Sequence, residues 1–148
     1  MRPQIESIPP SFCLAERGRG EHVLYVDDEE ALVFLATRVL ERLGYRVSGF
    51  SSATRALEAF ALRPQDFDAV VTDLALGTMS GLELVSEIRK RRPDIPVVLT
   101  SGYVRPEEAR EAESVGISEV VIKPQATREL GRVLERLIRR ARYERETA

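Results

Sequence analysis

Val23-Leu24-Tyr25-Val26-Asp27-Asp28 is an unbroken apolar run that ends on two carboxylates, and three later segments repeat the design. Ala69-Val70-Val71-Thr72 runs into Asp73, Pro96-Val97-Val98-Leu99-Thr100 into Ser101, and Val120-Val121-Ile122 into Lys123. A strand buried on both faces reads as a continuous apolar run, the signature of a parallel sheet covered by helices. If the four runs are parallel strands, Asp27, Asp28, Asp73, Ser101 and Lys123 share one edge of one sheet. Open α/β sheets place their sites outside that carboxyl edge.

The intervening segments carry helical periodicity. After Asp28, the residues Ala31, Leu32, Leu35, Val39 and Leu43 predict the inward face of a helix that stops at Gly44, a residue suited to a left-handed cap. Tyr45 to Phe50 alternates like a half-buried edge strand, and Ser51 or Ser52 can cap a helix carrying Ala56, Leu57 and Phe60. A helix from Gly81 to Arg91 would turn Leu82, Leu84, Val85 and Ile88 inward, and one opening at Pro106 would use Ala109 and Ala112 and end at Gly116. From Thr127 onward, Leu130, Val133, Leu134, Leu137, Ile138 and Ala141 form one stripe. Five βα units with right-handed crossovers predict an α/β, doubly wound, five-stranded parallel sheet with helices on both faces.

Three carboxylates at one point repel, and a divalent cation relieves the repulsion. Mg²⁺ takes oxygen ligands and keeps positions open for a phosphate group. A lysine and a hydroxyl beside it can hold further phosphoryl oxygens. Taken singly, Asp27-Asp28 reads equally well as a solvated strand end or a helix cap, Asp73 as a turn residue and Lys123 as a surface charge; only their joint placement on four strand ends points to a site.

These residues also carry a resemblance. Tyr25-Val26-Asp27-Asp28-Glu29, the segment Thr72 to Gly81, Leu99-Thr100-Ser101-Gly102-Tyr103 and Ile122-Lys123-Pro124 resemble, in order and spacing, the motifs of receiver domains in bacterial two-component response regulators and hybrid histidine kinases. The likeness extends from about His22 to Arg142. It implies a flavodoxin-like fold with strand order 2-1-3-4-5. It also implies Asp73 as the residue phosphorylated from a histidine kinase or histidine phosphotransfer domain. Mg²⁺ would be held by Asp28, with Asp27 close by, together with Asp73 and the backbone carbonyl of Ala75; Lys123 and Ser101 would bind phosphoryl oxygens. Ser101 is preferred to Thr100 because it precedes Lys123 by 22 residues, as in the family pattern. A cis Lys123-Pro124 peptide is implied as well. The chain departs from the pattern at Leu76-Gly77, where Met-Pro is frequent, at Val120, where an aromatic is common, and at Gln125. Those departures put the usual hydroxyl-to-aromatic relay in doubt and direct attention to the loops around Gly77 and Gly102. The alternative function is a phosphorylation-independent interaction scaffold on the same fold.

The 148 residues, 43% hydrophobic, suit one domain, with residues 1–20 a flexible Pro- and Gly-bearing linker and 21–148 the receiver. The lead-in Arg17-Gly18-Arg19-Gly20-Glu21 resembles the linker that precedes a C-terminal receiver in hybrid kinases. With 22 basic and 24 acidic residues the net charge is −2, which favours neither nucleic acid nor an anionic membrane. The arginines from Arg128 to Arg145 are interleaved with Glu129, Glu135, Glu144 and Glu146 and read as a solvated helix face, so no nucleic-acid binding is expected. The single Cys13 precludes an internal disulfide, and the single His22 reads as a surface residue that supports neither a zinc cluster nor a histidine-centred hydrolase. No apolar stretch reaches the roughly 20 residues of a membrane span; a cytoplasmic location is expected, and a homodimer is compatible with the sequence.

Overall fold

The computed structural model describes residues 18–123 and 126–147. Strands β1 (His22–Val26), β2 (Arg46–Phe50), β3 (Ala69–Asp73), β4 (Val97–Ser101) and β5 (Glu119–Ile122) alternate with helices α1 (Glu30–Arg42), α2 (Ala53–Leu62), α3 (Gly81–Arg91), α4 (Pro106–Ser114) and α5 (Ala126–Thr147). All pairings are parallel, in the order β2-β1-β3-β4-β5. The expected topology is therefore the observed one, with the reversal of chain direction across the sheet falling between β1 and β3.

Each central strand feeds two cores. Val23, Tyr25, Val71, Val98 and Val121 meet Ala36 and Leu40 of α1 and the stripe Leu130, Val133, Leu134, Leu137 and Ile138 of α5. The alternate residues Leu24, Val26, Val70 and Val97 meet Ala56 and Phe60 of α2 and Leu84, Val85 and Ile88 of α3. A third, smaller cluster joins Leu99, Leu74 and Leu82 to Ala112, the one buried residue of α4. That helix is thus held lightly, and β5 beside it leaves Val120 and Ile122 exposed.

Several expectations need correction. On α1 the buried residues are Ala36 and Leu40, whereas Leu35 is 48% exposed and Ala31 faces solvent. Positions 31 to 36 are all apolar, so spacing alone could not select the face. Ala109 is exposed, because α4 touches the sheet only around Ala112. His22 is half-buried: its ring stacks on Phe67 at 4.3 Å and its Nε2 lies 2.7 Å from Ser48 Oγ. Gly18 and Gly20 do not dangle. Their N–H groups donate to Leu43 O and Gly44 O, tying the lead-in to the turn between α1 and β2. The Lys123-Pro124 peptide and Gln125 lie outside the described residues, as do residues 1–17 of the expected linker.

Candidate functional site

Local chemistry fixes the end of β3. The Leu74 N–H donates to Asp73 Oδ1 at 3.0 Å, and the Thr72 hydroxyl donates to Asp73 O at 3.0 Å. One loop later Ser80 opens α3 with a capping box: its Oγ accepts from Glu83 N at 3.1 Å, and its own N–H donates to Glu83 Oε1 at 3.0 Å. Gly81 then passes so close that a Cβ there would sit 2.2 Å from Asp73 O. Gly81→Ala is accordingly expected to cost about 3 kcal/mol by overpacking against backbone, read as a lowered urea midpoint with unchanged m. An unchanged midpoint would contradict this tight packing.

The register carries the remaining groups to the same edge. Val26 pairs with Thr72 and Asp73 with Thr100, so the residues next in line, Asp27 and Ser101, flank Asp73 on either side. Lys123 follows β5 directly, and its N–H donates to Ser101 O at 2.8 Å. Its ammonium donates to Asp27 Oδ2 at 3.0 Å and lies 3.4 Å from Asp73 Oδ2. Asp27 is fully buried and also accepts from Glu29 N at 2.9 Å, whereas Asp28 is exposed. One carboxylate oxygen from each of Asp27, Asp28 and Asp73 lies within 4.8 Å of the others. Across an octahedral Mg²⁺ with bonds of ~2.1 Å, opposite oxygens stand ~4.2 Å apart. The three groups therefore suit a small divalent cation after a slight contraction.

Electrostatics separates the two sides of this cluster. Burial raises the Asp73 pKa above the ordinary carboxylate value, Lys123 opposes the rise, and Asp27 adds to it. Burial also pulls the Lys123 ammonium down, but the Asp27 and Asp73 carboxylates outweigh it and hold its pKa above the ordinary lysine value. One ammonium thus serves two carboxylates, with Asp73 left short of compensation. The buried Tyr25 phenol beneath them is pushed upward, first by burial and then by the same two aspartates, and stays protonated.

Two expected participants stand apart. The Ser101 hydroxyl donates to Tyr103 O at 2.7 Å and accepts from Tyr103 N at 3.2 Å, so it is engaged in its own loop. Thr100, the rejected alternative, is buried in the strand, as expected. Ala75 is exposed two residues beyond Asp73, in an antiparallel bridge with Ser80. Gly77 has φ +85°, a conformation closed to the proline frequent at this place in receiver sequences. Sequence reasoning did not anticipate that Asp27, rather than Asp73, is the nearer partner of Lys123; the two are 96 residues apart, and no local pattern signals the pair.

A parallel sheet of this order, with an acidic cluster and a lysine at the switch point, defines a phosphoacceptor class of signalling domain. The model of the family "Response regulator receiver domain" matches residues 23–135, and the chain belongs to that family. It is 34% identical over 112 residues to the sensory/regulatory protein RpfC of Xanthomonas campestris pv. campestris, covering 73% of this chain and 15% of that protein. It is 30% identical over 109 residues to the response regulator SaeR of Staphylococcus aureus, covering 74% of this chain and 46% of that one. The chain thus spans less than half the length of either relative. Among solved structures, a response regulator receiver domain protein from Clostridium thermocellum superposes with a TM-score of 0.78 at 28% identity, over 83% of this chain and 98% of that one. A CheY-like receiver protein from Methanospirillum hungatei gives 0.78 at 25% identity, over 84% and 98%. The chain is a receiver domain of two-component signalling. No helix among the described residues is long and apolar enough to cross a membrane.

Proposed function

We propose that Asp73 is the phosphoacceptor and takes its phosphoryl group from a phosphohistidine on a histidine kinase or histidine phosphotransfer domain. An Asp73 oxygen attacks phosphorus, the P–N bond to the imidazole breaks, and the bond pair leaves with the histidine. Such transfers depend on in-line positioning and charge neutralisation more than on proton chemistry. The observation that carries the reading is the convergence of Asp27, Asp28 and Asp73 with the Lys123 ammonium at one sheet edge. Mg²⁺, held by Asp27, Asp28, Asp73 and the carbonyl of Ala75, would supply the positive charge that draws a phosphoryl group beside three carboxylates. Lys123 would move from the carboxylates onto a phosphoryl oxygen, and Ser101 would release Tyr103 O to donate to another. The domain is taken to be residues 21–148, with 1–20 as linker. The receiver of a hybrid kinase is the first candidate for its context, ahead of a stand-alone regulator, on the likeness of Arg17-Gly18-Arg19-Gly20-Glu21 to a hybrid-kinase linker and on the similarity to the sensory/regulatory protein RpfC.

The test is intact mass after incubation with a small phosphodonor and Mg²⁺, with and without EDTA. One added phosphoryl group that EDTA abolishes supports the proposal. No mass gain under any donor, including a phosphorylated histidine kinase, would leave the scaffold reading in its place.

Switching should run through the loops. Capture of a phosphoryl oxygen requires the Ser101 hydroxyl to break its 2.7 Å bond to Tyr103 O, and Gly77 and Gly102 give both neighbouring loops freedom. Val120 is 36% exposed and has too small a side chain to swing between buried and exposed states. Beryllofluoride with Mg²⁺ is expected to shift amides of residues 75–80 and 101–106 most. Shifts centred on Val120 and α5 instead would refute this route.

A further inference from the structure

Helix α4 is fastened at one end only. The guanidinium of Arg89, on α3, donates through Nη2 to Gly116 O, through Nε to Val115 O at 3.4 Å, and through Nη1 to Pro93 O at 3.0 Å and to Ile95 O. All four acceptors are backbone carbonyls, so one planar fork ties the end of α4 to the segment that enters β4. Its charge also suits the negative end of the helix dipole. Just beyond, the Ser118 N–H donates to Val97 O at 2.8 Å and its hydroxyl accepts from Val97 N at 3.1 Å. Gly116, at φ +83°, makes the turn between these two ties, and a Cβ on it would stand 3.1 Å from Arg89 Nε.

The amino end has no such tie. Among the described residues, the hydrogen bonds of residues 102–111 stay within the segment from Ser101 to Val115: Ser101 with Tyr103, Arg105 with Glu108, Ser114 with Glu111, and the turns of the helix itself. The Tyr103 side chain is 70% exposed, and a groove of about 760 Å³ lies between Tyr103, Glu107 and Glu111 on one side and Leu74, Leu76 and Leu82 on the other.

We infer that α4 is a lid hinged at its carboxyl end, where Arg89 pins Val115 and Gly116, and that its amino end closes across this groove and folds the Tyr103 ring onto the acceptor loop. Nine residues make a lever about 13 Å long, so a small turn at Gly116 carries the free end several ångströms. The trigger rests on the proposed role of Asp73; the hinge does not. When the Ser101 hydroxyl leaves Tyr103 O for a phosphoryl oxygen, the segment joining β4 to the free end loses its resting bond, and burial of the Tyr103 ring favours the closed state. Arg89 is thus a positioning residue, remote from the acceptor, that decides which end of α4 moves.

The hinge is read first in the resting full chain. Amide exchange at residues 115–117 should quicken about tenfold in Arg89→Met while β1 and β3 keep their parental rates; Arg89→Lys, which keeps the charge without the fork, should fall between. Closure is read with a reporter, since the chain has no tryptophan. Tyr103→Trp at the free end and Ser114→Trp at the pinned end are compared under beryllofluoride and Mg²⁺, with bound beryllofluoride counted by ¹⁹F NMR. Acrylamide quenching should fall about threefold at position 103 as the ring leaves water, and stay level at 114. Adding Arg89→Met should at least halve the response at 103 and create one at 114 with the same amount of beryllofluoride bound, which loss of packing alone would not do. Parental exchange at 115–117 in both Arg89 variants overturns the hinge. Bound beryllofluoride with position 103 unmoved, or with both ends moving equally, overturns the lid. Absence of bound beryllofluoride counts against the acceptor assignment and the trigger, and leaves the hinge to the exchange result.

Discussion

Asp73→Asn is expected to remain at its unreacted mass under phosphodonor and Mg²⁺ while melting a few degrees higher than the parent chain. Loss of phosphorylation follows from the removal of the acceptor oxygen. The gain in stability follows from charge. Asp73 is 7% exposed, and its pKa is raised by burial and by Asp27 against the opposition of Lys123. A carboxyl group whose folded-state pKa exceeds its unfolded value binds its proton more tightly in the folded state. Its contribution is fully present below the unfolded pKa and is lost as pH rises through the folded one. At neutral pH the ionised Asp73 is therefore a net burden, which the neutral amide removes at nearly constant shape. A relief of about 1 kcal/mol corresponds to roughly 2–4 °C in a domain near this size. The difference between variant and parent should shrink as pH falls through the carboxylate range and Asp73 takes up its proton. Mass gain in Asp73→Asn would displace the acceptor assignment; a lower melting temperature at neutral pH would show that Lys123 fully compensates the charge.

The features that were legible in the sequence are those in which one residue's environment is decided locally. Val70 and Val71 read as a buried strand because both faces of β3 are covered, and the polar residue that ends the run must then emerge at the sheet edge. Even the departures were informative, since Gly77 does adopt a conformation that proline could not. Glycine was also the source of error. The missing side chain that frees a backbone equally permits close approach, and Gly18 uses it to lie against Tyr45 rather than to move. The outward turn of Leu35 was hidden because six consecutive apolar residues offer two overlapping stripes, of which the sheet selects the one carrying Ala36 and Leu40. Long-range pairs had no signal at all: nothing near Glu21 points to Arg142, or near Asp27 to Lys123. Ser80-Gly81-Leu82-Glu83, by contrast, is a capping box that the sequence displays openly and that sets the start of α3 beside the acceptor.

Lys123→Met is expected to cost about 2 kcal/mol in the absence of divalent cation and to abolish most phosphorylation. Removing one member of a buried ion pair strands the other, typically at about 3–5 kcal/mol. Lys123 is 26% exposed, which tempers the cost, but Asp27 is wholly buried and loses the ammonium that donated to it at 3.0 Å. Asp73 would lose at the same time the one opposing positive charge it has among the described residues. Two outcomes separate this electrostatic account from a simple packing defect. Mg²⁺ at saturating concentration should recover more stability in Lys123→Met than in the parent, because the cation takes over neutralisation of both carboxylates. Combining Lys123→Met with Asp73→Asn should cost less than the sum of the single changes, the coupling expected of groups in direct contact. Phosphorylation would still fail in the Mg²⁺-loaded Lys123→Met protein, because the third phosphoryl oxygen would face apolar thioether where an ammonium had stood. Urea denaturation of the four proteins, with and without Mg²⁺, decides the matter: additive losses indifferent to the cation would mean that Lys123 supports the fold through its aliphatic stem alone.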